Sequence, residues 1–392
     1  MKILILGNDG YIGYPLTLHL LKQGHEVFGG DNYSRRKLVN QIGGNSLTPI
    51  SSRIERNSYL KTKFSNFVDQ TEISLGEDFP QYIRSILEFF LPDAIVHLAE
   101  MPSAPWSMID AERSGKTQLS NVIGTLHLIW AIKETCPNTH LIKLGSMGEY
   151  GTPPCDIPEG TVPQKCLKKD SPTKCPMGGL LFPRKAGSFY HLSKVHDTYN
   201  IEFACRIWGL RSTDIMQGIV YGLDYESGPE NEEEMTRFDY DQFFGTVINR
   251  FCTQTVVGYP ITIYGEGTQT RGFIPLKDSI KCITLALENP PEEGEYRTLN
   301  QFENIYQINS VANIVSEAAE SLGLNPTTLH INNPRIEDED HYYNPECQKL
   351  FNLGYIPSTN ILGEVSELLS TLLQYKDRVI KEVIMPTVQW DS

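Results

Sequence analysis

The chain opens on a continuous apolar run, Ile3-Leu4-Ile5-Leu6, that ends at Gly7, which reads as a buried parallel strand over Lys2–Leu6. Leu16, Leu18, Leu20 and Leu21 follow at helical spacing over residues 14–23, and residues 25–29 form a second short strand. Residues 94–98 (Ala-Ile-Val-His-Leu) and 140–144 (His-Leu-Ile-Lys-Leu) read as further buried strands. A helix over 121–134, carrying Leu126, Ile129 and Trp130, separates them. This alternation predicts an α/β fold with a doubly wound parallel sheet. From 151 to 187 the patterning stops across seven prolines (153, 154, 158, 163, 172, 176 and 183), which predicts a lid-like insertion. After about Tyr221 the rhythm breaks into an acidic stretch from Glu230 to Glu234 and a mixed region. A chain of 392 residues therefore divides into a larger part over 1–221, insertion included, and a smaller mixed part over 222–392 that can interleave with it.

Composition narrows the class. With 21% charged and 40% hydrophobic residues the chain has the balance of a soluble globular protein. A net charge of −14 without a long Lys/Arg block argues against nucleic acid as a partner. The first strand begins at Lys2, leaving no room for a signal peptide, and no apolar run approaches membrane-spanning length, so a cytoplasmic protein without a membrane partner is expected. None of the eight cysteines forms a Cys-x-x-Cys pair, which argues against a disulfide framework and against a metal site. Cys155, Cys166 and Cys175 cluster in the insertion, where reduced thiols are the simpler reading and a redox or metal role the alternative.

Two motifs carry chemistry. The ladder Gly7-x-x-Gly10-x-x-Gly13 lies between strand and helix, where glycines allow a tight turn and close approach to a pyrophosphate at a helix N-terminus. Asp31 closes the second strand with a carboxylate suited to two ribose hydroxyls, favouring NAD over NADP; Arg35 and Arg36, close behind, pull the other way. Tyr190 and Lys194 stand four apart and share a helical face, so the ammonium can favour ionisation of a phenol whose free pKa is ~10. Ser146 ends the 140–144 strand, where a hydroxyl can bond the oxygen that Tyr190 deprotonates. A turn serine with a surface Tyr–Lys pair is the bland alternative.

Longer strings are more specific. Leu144-Gly145-Ser146-Met147-Gly148-Glu149-Tyr150-Gly151-Thr152-Pro153, Ser188-Phe189-Tyr190-His191-Leu192-Ser193-Lys194-Val195-His196-Asp197, Asp239-Tyr240-Asp241, Tyr264-Gly265 with Gln269-Thr270-Arg271-Gly272, and His341-Tyr342-Tyr343-Asn344 resemble the UDP-sulfoquinovose synthase family. That family belongs to the extended short-chain dehydrogenase/reductases, the NAD-dependent epimerase/dehydratase superfamily. The resemblance runs from the first strand to Met385-Pro386 and implies an NAD-binding Rossmann domain over 1–221 and a nucleotide-sugar-binding domain over 222–392. Cofactor contacts are expected from Gly7, Asp9, Gly10, Tyr11, Ile12, Gly13, Asp31, Asn32, Arg36, Leu98 and Asn121. Substrate contacts with a UDP-hexose are expected from Met147, Ser188, Gln217, Arg271 and Arg335, with Trp106 as a sugar-stacking surface or a core aromatic. A homodimer is implied by analogy.

In the reaction the resemblance implies, Tyr190 takes the C4 hydroxyl proton while C4 gives hydride to NAD, and Lys194 holds Tyr190 and the nicotinamide ribose. The 4-ketone acidifies C5, loss of the C5 proton and C6 hydroxyl yields a 5,6-alkene, sulfite adds, and the hydride returns. His191 and Glu149 are the acid/base candidates; His191 lies about 100° around the helix from Tyr190, which leaves its facing open. The chain departs from the family at Glu100-Met101-Pro102-Ser103-Ala104-Pro105, where Glu-Gln-Arg-Ser-Ala-Pro is usual. A proline offers no cation to a sulfonate, which counts against sulfite. Ser146 replaces a threonine and keeps its hydroxyl, while Met147-Gly148 replaces the Asp-Glu pair of plain sugar dehydratases. The alternatives are a UDP-sugar 4-epimerase or dehydratase without sulfonation and, more remotely, a noncatalytic NAD-binding scaffold, which has no use for the Ser-Tyr-Lys triad.

Overall fold

Ile3 and Ile5 pack on one side of the first strand and Leu4 and Leu6 on the other, all fully buried, because successive side chains of a strand point to opposite faces. A strand apolar on both faces needs helices on both, and the chain supplies them. In order these are β1 (Lys2–Leu6), α1 (Gly13–Lys22), β2 (Glu26–Asp31), α2 (Ser34–Gln41), α3 (Arg53–Lys63), β3 (Phe67–Glu72), α4 (Pro80–Phe90), β4 (Ala94–His97), α5 (Ala111–Gln118), α6 (Gly124–Thr135) and β5 (His140–Ser146). There follow β6 (Thr161–Val162), β7 (Leu180–Leu181), α7 (Phe189–Trp208), β8 (Arg211–Gln217), β9 (Ile219–Tyr221), α8 (Val247–Val256), β10 (Ile261–Tyr264) and β11 (Thr270–Pro275). The last are α9 (Leu276–Glu288), β12 (Tyr296–Gln301), β13 (Asn304–Gln307), α10 (Ile308–Ser321), β14 (Thr328–Ile331), α11 (Gln348–Asn352) and α12 (Ile361–Leu372).

This computed structural model describes residues 1–162, 179–223, 232–337, 340–358, 360–385, 387 and 390. Cys166, Cys175, Pro163, Pro172, Pro176, Glu230 and Pro386 lie outside the described residues. The main sheet runs β12-β8-β5-β4-β1-β2-β3, parallel throughout. Winding reverses between β1 and β4, and a crevice opens there beyond the carboxyl ends of the strands. Leu87, Leu128, Ile132 and Ile201 of α4, α6 and α7 cover one face; Leu16, Ile280 and Ile283 of α1 and α9 cover the other.

The second unit has its own core of Phe251, Val311, Val315, Val365 and Leu368 from α8, α10 and α12, packed with the sheet β13-β11-β9 and the parallel pair β10-β14. The two units interleave deeply. β9, before residue 222, sits in the second unit, whereas α9 and β12 return to the first, β12 pairing with β8 over six residues. The described flanks of the 151–187 insertion are anchored rather than structureless. β6 pairs with β7, Phe182 is buried against Tyr150, and Glu159 accepts the amides of Asn300 and Lys349. No described helix is long and apolar enough to cross a membrane.

Candidate active site

The glycine ladder is built for close approach. Gly7 has φ +89°, and a Cβ on Gly13 would stand 2.0 Å from the Gly7 carbonyl oxygen, so a side chain there closes the turn on itself. No side chain caps the N-terminus of α1, and Gly10, Tyr11, Ile12 and Gly13 line a cavity of about 530 Å3. Asp31 and Asn32 lie at one end of the lining, with Leu98 on its wall and Ser146, Tyr190, Lys194 and Gln217 at the other. An uncapped helix start, a glycine floor and a terminal carboxylate together fit a dinucleotide.

Asp31 accepts the amides of Asp9 (2.9 Å) and Tyr33 (2.7 Å). Burial, then the nearby Asp9 charge, pushes its carboxyl up to about 6. Neither arginine behind it stands free. Arg35 lines the cavity, stacked 4.2 Å over Phe244 and bonded to Asp239 at 2.8 Å. Arg36 forks onto Asp9 through Nε (2.6 Å) and Nη2 (2.8 Å), so Asp9 and Arg36 face each other rather than the cavity.

α7 begins at Ser188, whose hydroxyl accepts the amide of His191, and ends at Gly209 with φ 72°. One turn in, Tyr190 and Lys194 face the cavity. The lysine Nζ donates to the Leu144 carbonyl (2.6 Å) and pairs with Glu100 (2.5 Å). Burial disfavours the ammonium, yet Glu100 more than compensates and holds the Lys194 pKa above the ordinary lysine value. The expected lowering of the Tyr190 pKa is not what the chain alone produces. Burial raises it, the Lys194 ammonium pulls it back, and Glu100 pushes it up again, leaving it above its free value. Ser146 lines the cavity, and its hydroxyl accepts the amide of Gly148.

Several expected residues do not line the cavity. Glu149 is fully buried and committed to the Ser146 amide, Arg184 and Thr198, so it is no free acid/base. Trp106 is 5% exposed and packs on Phe243 and Phe244, a core aromatic and not a sugar platform. Met147 is core; Asn121 is fully buried and clamps the Met101 backbone while bonding Ser193. His191 bonds Ser188 through Nδ1 (3.0 Å), and its Nε2 lies so near Gly148 that a Cβ there would stand 2.3 Å away. Burial, reinforced by Arg335 and Arg271, pushes its pKa down to about 3 and keeps the ring neutral. Arg271 pairs with Glu337 (2.6 Å), and Arg335 stacks 5.5 Å from the Trp390 ring centroid. Gln217 lines the cavity and donates to Ser279. Among the described residues no group of His, Cys, Asp and Glu could hold a metal.

Sequence reasoning missed Glu100 as a wall residue, together with Leu75, Gly76, Thr246 and Asn249. A spacing signal could have found neither Glu100 nor Asn249, which face the cavity from loop and second unit.

Residues 3–300 match the model of the NAD dependent epimerase/dehydratase family. The chain belongs to this family. Within it the chain is similar to the chloroplastic UDP-sulfoquinovose synthase of Spinacia oleracea, 44% identical over 99% of this chain and 79% of that protein. It is equally similar to the UDP-sulfoquinovose synthase of Sulfolobus acidocaldarius, at 44% identity over 100% of this chain and 98% of the relative. A UDP-glucuronic acid 4-epimerase of Bacillus cereus, solved with UDP-glucuronic acid and NAD, shares the fold at TM-score 0.67 and 19% identity, covering 97% of this chain and 100% of its own. This epimerase/dehydratase family member is thus an NAD-dependent enzyme, with a glycine floor and Asp31 in keeping with that cofactor.

Proposed function

We propose that the protein modifies a UDP-hexose through a transient 4-ketone, in the manner of a UDP-sulfoquinovose synthase. One observation carries the reading: Ser146, Tyr190 and Lys194 wall the same cavity as the glycine ladder and Asp31, in a chain 44% identical along its length to two such synthases. When bound, NAD supplies a reversible hydride acceptor for C4. Tyr190 removes the C4 hydroxyl proton, Ser146 bonds the same oxygen, and Lys194 keeps positive charge beside the phenol. A ketone at C4 acidifies C5, so the C5 proton and C6 hydroxyl can leave and a nucleophile can add at C6.

Among the described residues the cations lining the cavity are Arg35, Lys116 and Lys194, and each is paired, with Asp239, Glu112 and Glu100 in turn. Met101 and Pro102 line the wall and add no charge, which counts against sulfite as the incoming nucleophile. Incubation with UDP-glucose in deuterated water tests the reading: deuterium enters C5, read by NMR, and protium retained at C5 overturns it. A 4-epimerase is the second reading, favoured by the commitment of Glu149 to ion pairs and by the place of His191 outside the cavity lining, bonded to Ser188, because epimerisation needs no C5 base. It gives the C4 epimer with C5 untouched.

A reducing cytoplasmic setting is part of the proposal, supported by six free cysteines among the described residues. So is a homodimer through the exposed face of α7, where Phe189, Leu192, Tyr199, Phe203 and Ile207 fall at helical spacing.

A further inference from the structure

The two arginines after Asp31 pose a question of cofactor choice, since a guanidinium beside the adenosine ribose is how such sites accept a 2′-phosphate. Asp9 stands between Gly7 and Gly10, and its amide donates to Asp31 at 2.9 Å, which sets it at the ribose end of the cleft. Its side chain is buried, 7% exposed, and binds two guanidinium groups. Oδ2 accepts Arg36 Nε at 2.6 Å; Oδ1 accepts Arg36 Nη2 and Arg56 Nη1, both at 2.8 Å. The remaining Arg36 nitrogen, Nη1, donates to the Ser51 carbonyl at 2.8 Å. Each of the three nitrogens of Arg36 is therefore anchored, through three of the five N–H donors, and a bidentate fork is the most directional ion pair available to arginine.

The other cations nearby are also engaged. Arg35 pairs with Asp239, Lys37 and Arg53 with Glu72, and Arg56 with Asp9 while its second nitrogen donates to the Met235 carbonyl. Burial raises the Asp9 carboxyl, but the two guanidinium groups win and leave it below the ordinary carboxylate range, so it stays ionised at neutral pH.

We propose that Asp9 is a cofactor-selectivity residue that acts through Arg36: by holding the guanidinium away from the ribose it leaves a 2′-phosphate facing Asp31 without the Arg36 cation. The proposal rests on the dinucleotide reading of the cleft. It differs from the familiar role of Asp31, since Asp9 selects by sequestering a cation.

Dissociation constants for NAD+ and NADP+, measured by titration calorimetry on the purified protein, test it. Asp9→Asn frees Arg36 and shifts the NADP+/NAD+ affinity ratio toward NADP+ by on the order of tenfold, the scale of a hydrogen bond to a charged group. The double variant Asp9→Asn with Arg36→Met loses the gain, and Arg36→Met alone leaves the ratio where it was. A ratio unmoved in Asp9→Asn, or a gain that survives in the double variant, overturns the proposal. If Asp9→Asn does not fold because buried Arg56 is stranded, the pair Asp9→Asn with Arg56→Met is read against the same pair carrying Arg36→Met, with the same two outcomes. Failure of NAD+ to bind the unaltered protein would overturn the cleft reading itself, and is distinct from a flat ratio.

Discussion

Lys194 answers to two neighbours at once. Its ammonium stands 5.9 Å from the Tyr190 ring centroid, where it favours the phenolate, and 2.5 Å from Glu100, which opposes ionisation of the same phenol. The groups facing Tyr190 are Lys194 and His191 from α7, Glu100 from the loop after β4, and Lys143 and Glu149 from β5 and the turn beyond it. Since the phenol must lose its proton to act as a base, activity rises with pH through its pKa. Removing the Glu100 charge lowers that pKa, so Glu100→Gln moves the acid limb of the pH–rate profile to lower pH, and Lys194→Met moves it higher. Single-turnover NADH formation with UDP-glucose reads both limbs; an acid limb unmoved in Glu100→Gln would remove Glu100 from the base. The triad was legible in the sequence because spacing on a helix and the end of an apolar strand are geometric signals. Glu100 was not, because a single acid in a loop has no period. Glu149 and Trp106 misled for the opposite reason: their types suit the chemistry, while burial gives both to the core.

At the scale of elements, the turn between β1 and α1 decides whether the cleft exists. A methyl on Gly13 would meet the Gly7 carbonyl at 2.0 Å, whereas one on Gly115, in the middle of α5, meets nothing within 4 Å. Gly13→Ala is therefore expected to cost ~1–3 kcal/mol through overpacking and to abolish NAD binding. Gly115→Ala is expected to add ~0.5–1 kcal/mol by removing glycine's entropy from a helix. Urea midpoints together with NAD titration check the pair, and equal effects from the two would refute a steric origin. β1, β4 and β5 were readable because each carries a short run of buried apolar residues, Ile3–Leu6, Ile95–Val96 and Leu141–Ile142 with Leu144. β8 and β12 were not, because most of their buried positions are polar. Thr213 bonds His140 and Arg297, and Asp214 bonds Lys143 and Thr198. A strand held by a buried polar hydrogen-bond network shows no hydrophobic run, so the interleaving of α9 and β12 with the first unit left no trace in periodicity.

At the scale of the whole molecule, an apolar face along α7 stands exposed among the described residues. Phe189, Leu192, Tyr199, Phe203 and Ile207 are each more than a third exposed along α7, and Leu119, Ile123 and Trp130 stand exposed on the neighbouring helical segment. Scattered apolar residues on a surface mean little, but a stripe running the length of a 20-residue helix costs solubility unless covered. A second copy is the economical cover, since a two-fold contact buries the same stripe twice and needs no complementary surface elsewhere. The same helix carries Tyr190 and Lys194 on its inner side, so pairing would also stiffen the catalytic turn. Tyr199→Glu with Phe203→Glu sets four carboxylates into such an interface and none into the core, because both side chains face solvent in the monomer. Sedimentation at micromolar concentration is expected to give a dimer for the unaltered protein and a folded monomer for the variant, with its helical circular dichroism retained. A monomeric unaltered protein would leave the stripe to some other cover and remove the dimer from the proposal.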